Sequence, residues 1–187
     1  MRDAPTTTPY TEPWLRGTHA EVPAAARAVL HALELALDDL TKWTAGLTDA
    51  EVRSAPLGLT PIAYHLRHIA GSVDRILTYA EGGQLSAEQL AALKAENRAD
   101  ERAGAGQGEE GKQETLAELL AQVEASFSNA DARIRVLATA DLNMPRFVGR
   151  KQLPTSIGGA MIHVADHTQR HVGQVVTTAK AIKALRG

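Results

Sequence analysis

Between His163 and Gln174 the chain carries three histidines at a spacing of four, His163, His167 and His171. In a helix, residues four apart stack on one face. His167 and His171 can then turn two imidazoles toward one point, which is how a helix offers two ligands to a transition metal. Two ligands bind weakly, so a third is expected from another element. His65 and His68, in Tyr64-His65-Leu66-Arg67-His68, are the available pair. Five of the seven histidines fall in these two clusters.

A helical wheel sharpens the expectation. At about 100° per residue, His163, His167 and His171 border the apolar face of their helix, as His65 and His68 do on theirs. A single histidine on an apolar face is ordinarily a hydrogen-bonded core residue. Two inward clusters on separate helices are harder to assign to packing. Three imidazoles without a fourth protein ligand leave coordination positions open, the form of catalytic rather than structural zinc sites. The expected cofactor is one divalent transition metal, zinc first, with Ni, Fe, Mn or Co as alternatives; an all-nitrogen donor set argues against Ca and Mg. A ferritin-like di-iron site needs Glu-x-x-His motifs, and the sequence has none.

These residues must be positioned by helices. Val29, Leu30, Leu33, Leu37 and Leu40 make one stripe of a helix over 22–45. Thr60-Pro61 reads as N-cap and first position of a second helix, running to Glu81 and stopped by Gly82-Gly83. Ser86 with Gln89 resembles a capping box and opens a short helix to Asn97. Four glycines in 102–112 mark a flexible surface connection. A third long helix over 113–139 carries Leu116, Leu120, Val123, Phe127, Ala130 and Ile134. Pro145, Gly149 and Pro154 make 140–155 a loop with room for a short hairpin, and Thr155 or Ser156 caps a last helix over 156–185. The fold class is all-α, a four-helix bundle with a short extra helix and long loops. Residues 1–18, interrupted by Pro5, Pro9 and Pro13, form an irregular arm, and 19–187 form one domain.

Composition narrows the function. The chain has 187 residues, 44% apolar and 22% charged, with a formal net charge of −2. It offers no basic stripe for nucleic acid and no membrane-spanning run. It has no cysteine, which excludes disulfides, thiolate metal sites and a cysteine nucleophile; any thiol must arrive with a substrate. Met1 to Pro13 lack the apolar core of a signal peptide, so a soluble cytoplasmic protein is expected.

Leu66-Arg67-His68-Ile69-Ala70 and Asp166-His167-x3-His171-Val172-Gly173-Gln174 together resemble the DinB-like (DinB/YfiT-like) superfamily. That family shows a histidine followed by Ile/Leu-Ala in the second helix and Asn/Asp-His-x3-His-x-Gly-Gln on the last. The likeness covers most of residues 22–185. It implies a metal triad of His68, His167 and His171, a helix connectivity unlike a simple up-and-down bundle, and a homodimer. It also implies small-molecule chemistry that includes S-transfer and isomerisation with low-molecular-weight thiols. Two positions depart from the commonest pattern: Arg170 stands where a histidine or aromatic is common, and His65 is an additional inward histidine. His65 and His163 are expected to lie outside the ligand set.

Arg170 and Gln174 are the candidate catalytic side chains, binding an anionic substrate group or orienting a bound water. Arg146, Arg150 and Lys151 lend the 140–155 loop a basic character. The sequence thus supports a metal-dependent transferase, isomerase or hydrolase acting on a small molecule. The alternative is a non-catalytic, stress-related or metal-stabilised bundle.

Overall fold

Apolar side chains recur every three to four residues along four segments, and each is a long helix in the computed structural model, which describes residues 10–104 and 114–186, over 97–104 by backbone alone. In chain order the elements are α1 (Ala24–Thr44), α2 (Asp49–Arg53), α3 (Ile62–Ala80), α4 (Ala87–Gly104), α5 (Leu116–Leu137), β1 (Pro145–Val148), β2 (Leu153–Ser156) and α6 (Ile157–Leu185). The strands pair antiparallel as one hairpin, Pro145 opposite Ser156 and Val148 opposite Leu153.

The long helices form an all-α four-helix bundle. α1 packs on α5 and α6, and α3 packs on α5 and α6. The consecutive long helices α1 and α3 therefore lie across a diagonal, which an up-and-down bundle does not allow. Leu40, Ile62, Leu66, Leu119, Ile134 and Met161 are fully buried where the four meet. Each contributes about 1.5–3 kcal/mol by leaving water. No helix among the described residues is long and apolar enough to cross a membrane.

Several details differ from the sequence expectation. α3 starts one residue late: Pro61 is the N-cap, and proline has no side-chain oxygen with which to cap. Leu119 rather than Leu116 or Leu120 centres the buried stripe of α5, and the latter two are only partly buried. α4 does not stop at Asn97 but continues to Gly104; the rest of the expected 102–112 connection lies outside the described residues. The short α2 was not expected, although its signal is present, a Thr48-x-x-Glu51 capping box. The hairpin and the Ser156 cap of α6 are as expected.

Of the expected arm, residues 1–9 lie outside the described residues. Pro13–Leu15 make one 3-10 turn with Pro13 buried. Tyr10 and Arg16 both bond Asp38 on α1.

Candidate metal centre

α3 and α6 cross with their histidines facing. One ring nitrogen each from His68, His167 and His171 lies within 4.8 Å of the others, and the ring centroids of His68 and His171 are 4.5 Å apart. Nε2 of His68 and Nε2 of His167 are separated by 2.9 Å. Nitrogens in a tetrahedral shell of about 2.1 Å bonds stand about 3.4 Å apart, close to the spacing the His68 and His167 rings already hold.

The helix geometry explains which histidines arrive. Thr168, Val172 and Val175 are buried and mark the core direction of α6. Each step of four residues turns a side chain about 40°, so His171 lies nearest that direction, His167 next and His163 farthest. The inward placement expected for all three fails at His163, which is 51% exposed and pairs with Asp166 at 3.0 Å.

The rings have defined partners behind them. His68 Nδ1 lies 3.2 Å from Glu96 Oε2, and the same carboxylate takes two bonds from Arg75, at 2.6 and 3.0 Å. An ionised carboxylate only accepts, so His68 donates to it from Nδ1, and its other nitrogen, Nε2, faces His167. His65, 3% exposed, sets Nδ1 3.0 Å from Nδ1 of His171. Tyr64 stacks on His68 with ring planes 12° apart.

Electrostatics keep His65, His167 and His171 neutral at pH 7. Burial, then repulsion from His68, lowers His65 to about 4. Burial, then His68, His163 and Arg170, lowers His167 to about 4. Burial, then the three neighbouring imidazoles, lowers His171 to about 3. Burial would push the Glu96 carboxyl up, but the hydrogen bonds from His68 and Arg75 outweigh it and hold it below the usual range. Three imidazoles with no carboxylate among them are a borderline-soft nitrogen donor set. They fit a divalent transition metal and not calcium or magnesium.

A family model described as the DinB superfamily matches residues 32–175. The chain belongs to the DinB superfamily. All the histidines of both clusters, with Arg170 and Gln174, fall inside the matched span, so the DinB frame carries the whole site. No curated protein matches the chain.

Arg170 and Gln174 are exposed on α6 and stand on the wall of a cleft of about 360 Å³, shared with Gly58, Thr60, His65 and Thr178. His65 is the member of the histidine cluster that lines it. Arg146 of the basic 140–155 loop is tied to the bundle: its Nε donates to the carbonyl of Ala80, closing the end of α3.

Sequence reasoning missed Glu96 and Arg75. Arg75 sits seven residues after His68, two turns along the same face, which was a usable signal; Glu96 on a separate helix gave none. It also missed a second group, His19, His31 and Glu34, whose donor atoms lie within 4.8 Å of one another. There Nε2 of His19 meets Glu34 at 2.8 Å and Nδ1 meets Arg135 at 2.7 Å. With both ring nitrogens engaged and a guanidinium alongside, His19 acts as a latch between the N-terminal segment, α1 and α5.

Proposed function

We propose that the protein is a divalent-metal-dependent enzyme acting on a small molecule, with the ion held by His68, His167 and His171. The observation that carries this reading is the convergence of three imidazoles from α3 and α6, two of them backed by buried partners, beside a polar cleft. Zinc is the first expectation for the metal. A bound ion of this kind supplies Lewis acidity, lowering the pKa of a thiol or water so that the nucleophile is deprotonated near pH 7.

The chain's own residues then have separate tasks. Arg170, 63% exposed and 4.0 Å from the Asp166 carboxylate, offers its guanidinium to an anionic group of the substrate. Gln174 offers a neutral donor and acceptor one turn further on. His65 forms the floor between cleft and ligands. The chain has no cysteine, so a thiol reaction takes its sulfur from a low-molecular-weight co-substrate. Thiol-dependent S-transfer, isomerisation and hydrolysis are the reaction classes that fit.

One observation favours a second reading, a binding protein without turnover: the cleft is walled by His65 and not by the three proposed ligands. A panel of low-molecular-weight thiols with electrophilic acceptors, and of small esters, separates the two. Turnover by zinc-loaded protein that is lost in His171→Ala supports the enzyme. Absence of turnover with every pair, in protein that retains its metal, supports the binding protein.

A further inference from the structure

We propose that Glu96, on the peripheral helix α4, is a positioning residue of the metal site, fixing the tautomer and orientation of His68. The inference rests on the reading of His68 as a ligand.

α4 is more polar than the four bundle helices and packs on α3. Its Glu96 is nonetheless 8% exposed. Burying a carboxylate is costly unless it is paired and hydrogen-bonded, and Glu96 is both, by Arg75 through two bonds and by His68 through one. The geometry is that of a carboxylate–histidine pair, in which the carboxylate takes the imidazole N–H and leaves the opposite nitrogen free for a metal.

The backbone of α3 makes room for it. A Cβ on Gly71 would overlap Glu96 Oε1 and Arg75 Nη1. Glycine inside a helix costs about 1 kcal/mol relative to alanine, and φ at Gly71 is helical, so conformational freedom does not account for it. The space beside Gly71 is where the carboxylate reaches past α3 to His68. His68, Gly71 and Arg75 lie on one face of α3 at spacings of three and four, all turned to a single residue of α4.

The pairing makes two predictions with different readouts. The first is spectroscopic and needs no metal: nitrogen NMR of the metal-free protein finds His68 protonated at Nδ1, and Glu96→Ala mixes the tautomers. The second is zinc affinity, measured by chelator competition for wild type, His68→Ala, Glu96→Ala, Glu96→Gln and Gly71→Ala. Glu96→Ala weakens zinc about 10–100-fold. Glu96→Gln, whose amide oxygen still accepts from Nδ1, loses less. Gly71→Ala, which leaves the carboxylate intact but displaces it, weakens zinc in the same direction while favouring the helix, so loss of fold does not mask the result. Wild-type affinity in both Glu96→Ala and Gly71→Ala, with affinity lost in His68→Ala, overturns the role of Glu96 and leaves the site standing. Wild-type affinity in His68→Ala overturns both. An Nε2-protonated His68 in the wild type overturns the role of Glu96 alone.

Discussion

The Nδ1 atoms of His65 and His171 lie 3.0 Å apart, two neutral imidazoles sharing one hydrogen. If His171 gives its Nε2 lone pair to a metal, it carries its proton on Nδ1 and donates it to His65. The depressed pKa of His65, about 4, makes it a neutral acceptor at pH 7. His65→Phe keeps the volume but removes the acceptor. We expect about tenfold weaker zinc binding with unchanged stoichiometry, read by chelator competition; an unchanged affinity removes His65 from the support of the site.

Metal-free protein should lose stability on mild acidification. The unfolded chain takes protons on its histidines near pH 6.5, while folded His65, His167 and His171 stay neutral down to about 4, 4 and 3. Between these values the unfolded state binds more protons, so stability rises with pH through the window and falls as the pH drops from about 6.5 toward 4. Denaturant melts at pH 5 and pH 7 check the sign, and His171→Ala should flatten the slope. A metal-free protein more stable at pH 5 than at pH 7 contradicts the burial of neutral rings.

Arg170→Ala should separate substrate from metal. Its guanidinium lines the cleft and bonds no ligand histidine, so metal content stays at the wild-type level. For an anionic thiol substrate, KM rises several-fold, whereas a neutral analogue is little affected. Equal effects on both substrates would assign Arg170 to a different task.

His19 holds a positive φ of 57° while pairing with Glu34 and Arg135. His19→Ala loses the pairing and keeps the strain; His19→Gly loses the pairing and relieves it. Glycine should therefore be the milder change, by roughly 1 kcal/mol, in equilibrium unfolding of the two variants. The reverse order would show that the left-handed conformation there is not a strained one.

Helical periodicity made the four long helices legible, because each buries one stripe and the stripe repeats with the turn. Ser156 and the Gly82 stop were legible as cap chemistry. The meeting of His68 with His167 and His171 was legible from spacing together with family likeness; spacing alone left His65 and His68 equivalent. What separates them is tertiary: His68 has Glu96 behind one nitrogen, and His65 is turned to the back of His171. Nothing in the Ala87–Asn97 segment marks Glu96 as buried, since its partners come from α3. His163 misled for a related reason, as the i, i+4 rule places neighbours on one face while each step drifts about 40° away from the core.

The central claim is that three histidines hold one ion. Elemental analysis of tag-free protein, purified in parallel as wild type, His68→Ala, His167→Ala and His171→Ala, tests it most directly. The account predicts about one divalent transition metal per wild-type chain, as a single three-ligand site requires, and its loss in each variant, all of which keep their helical content. Full metal retention in any one of the three, or wild-type protein that takes up no transition metal when it is offered, would contradict it.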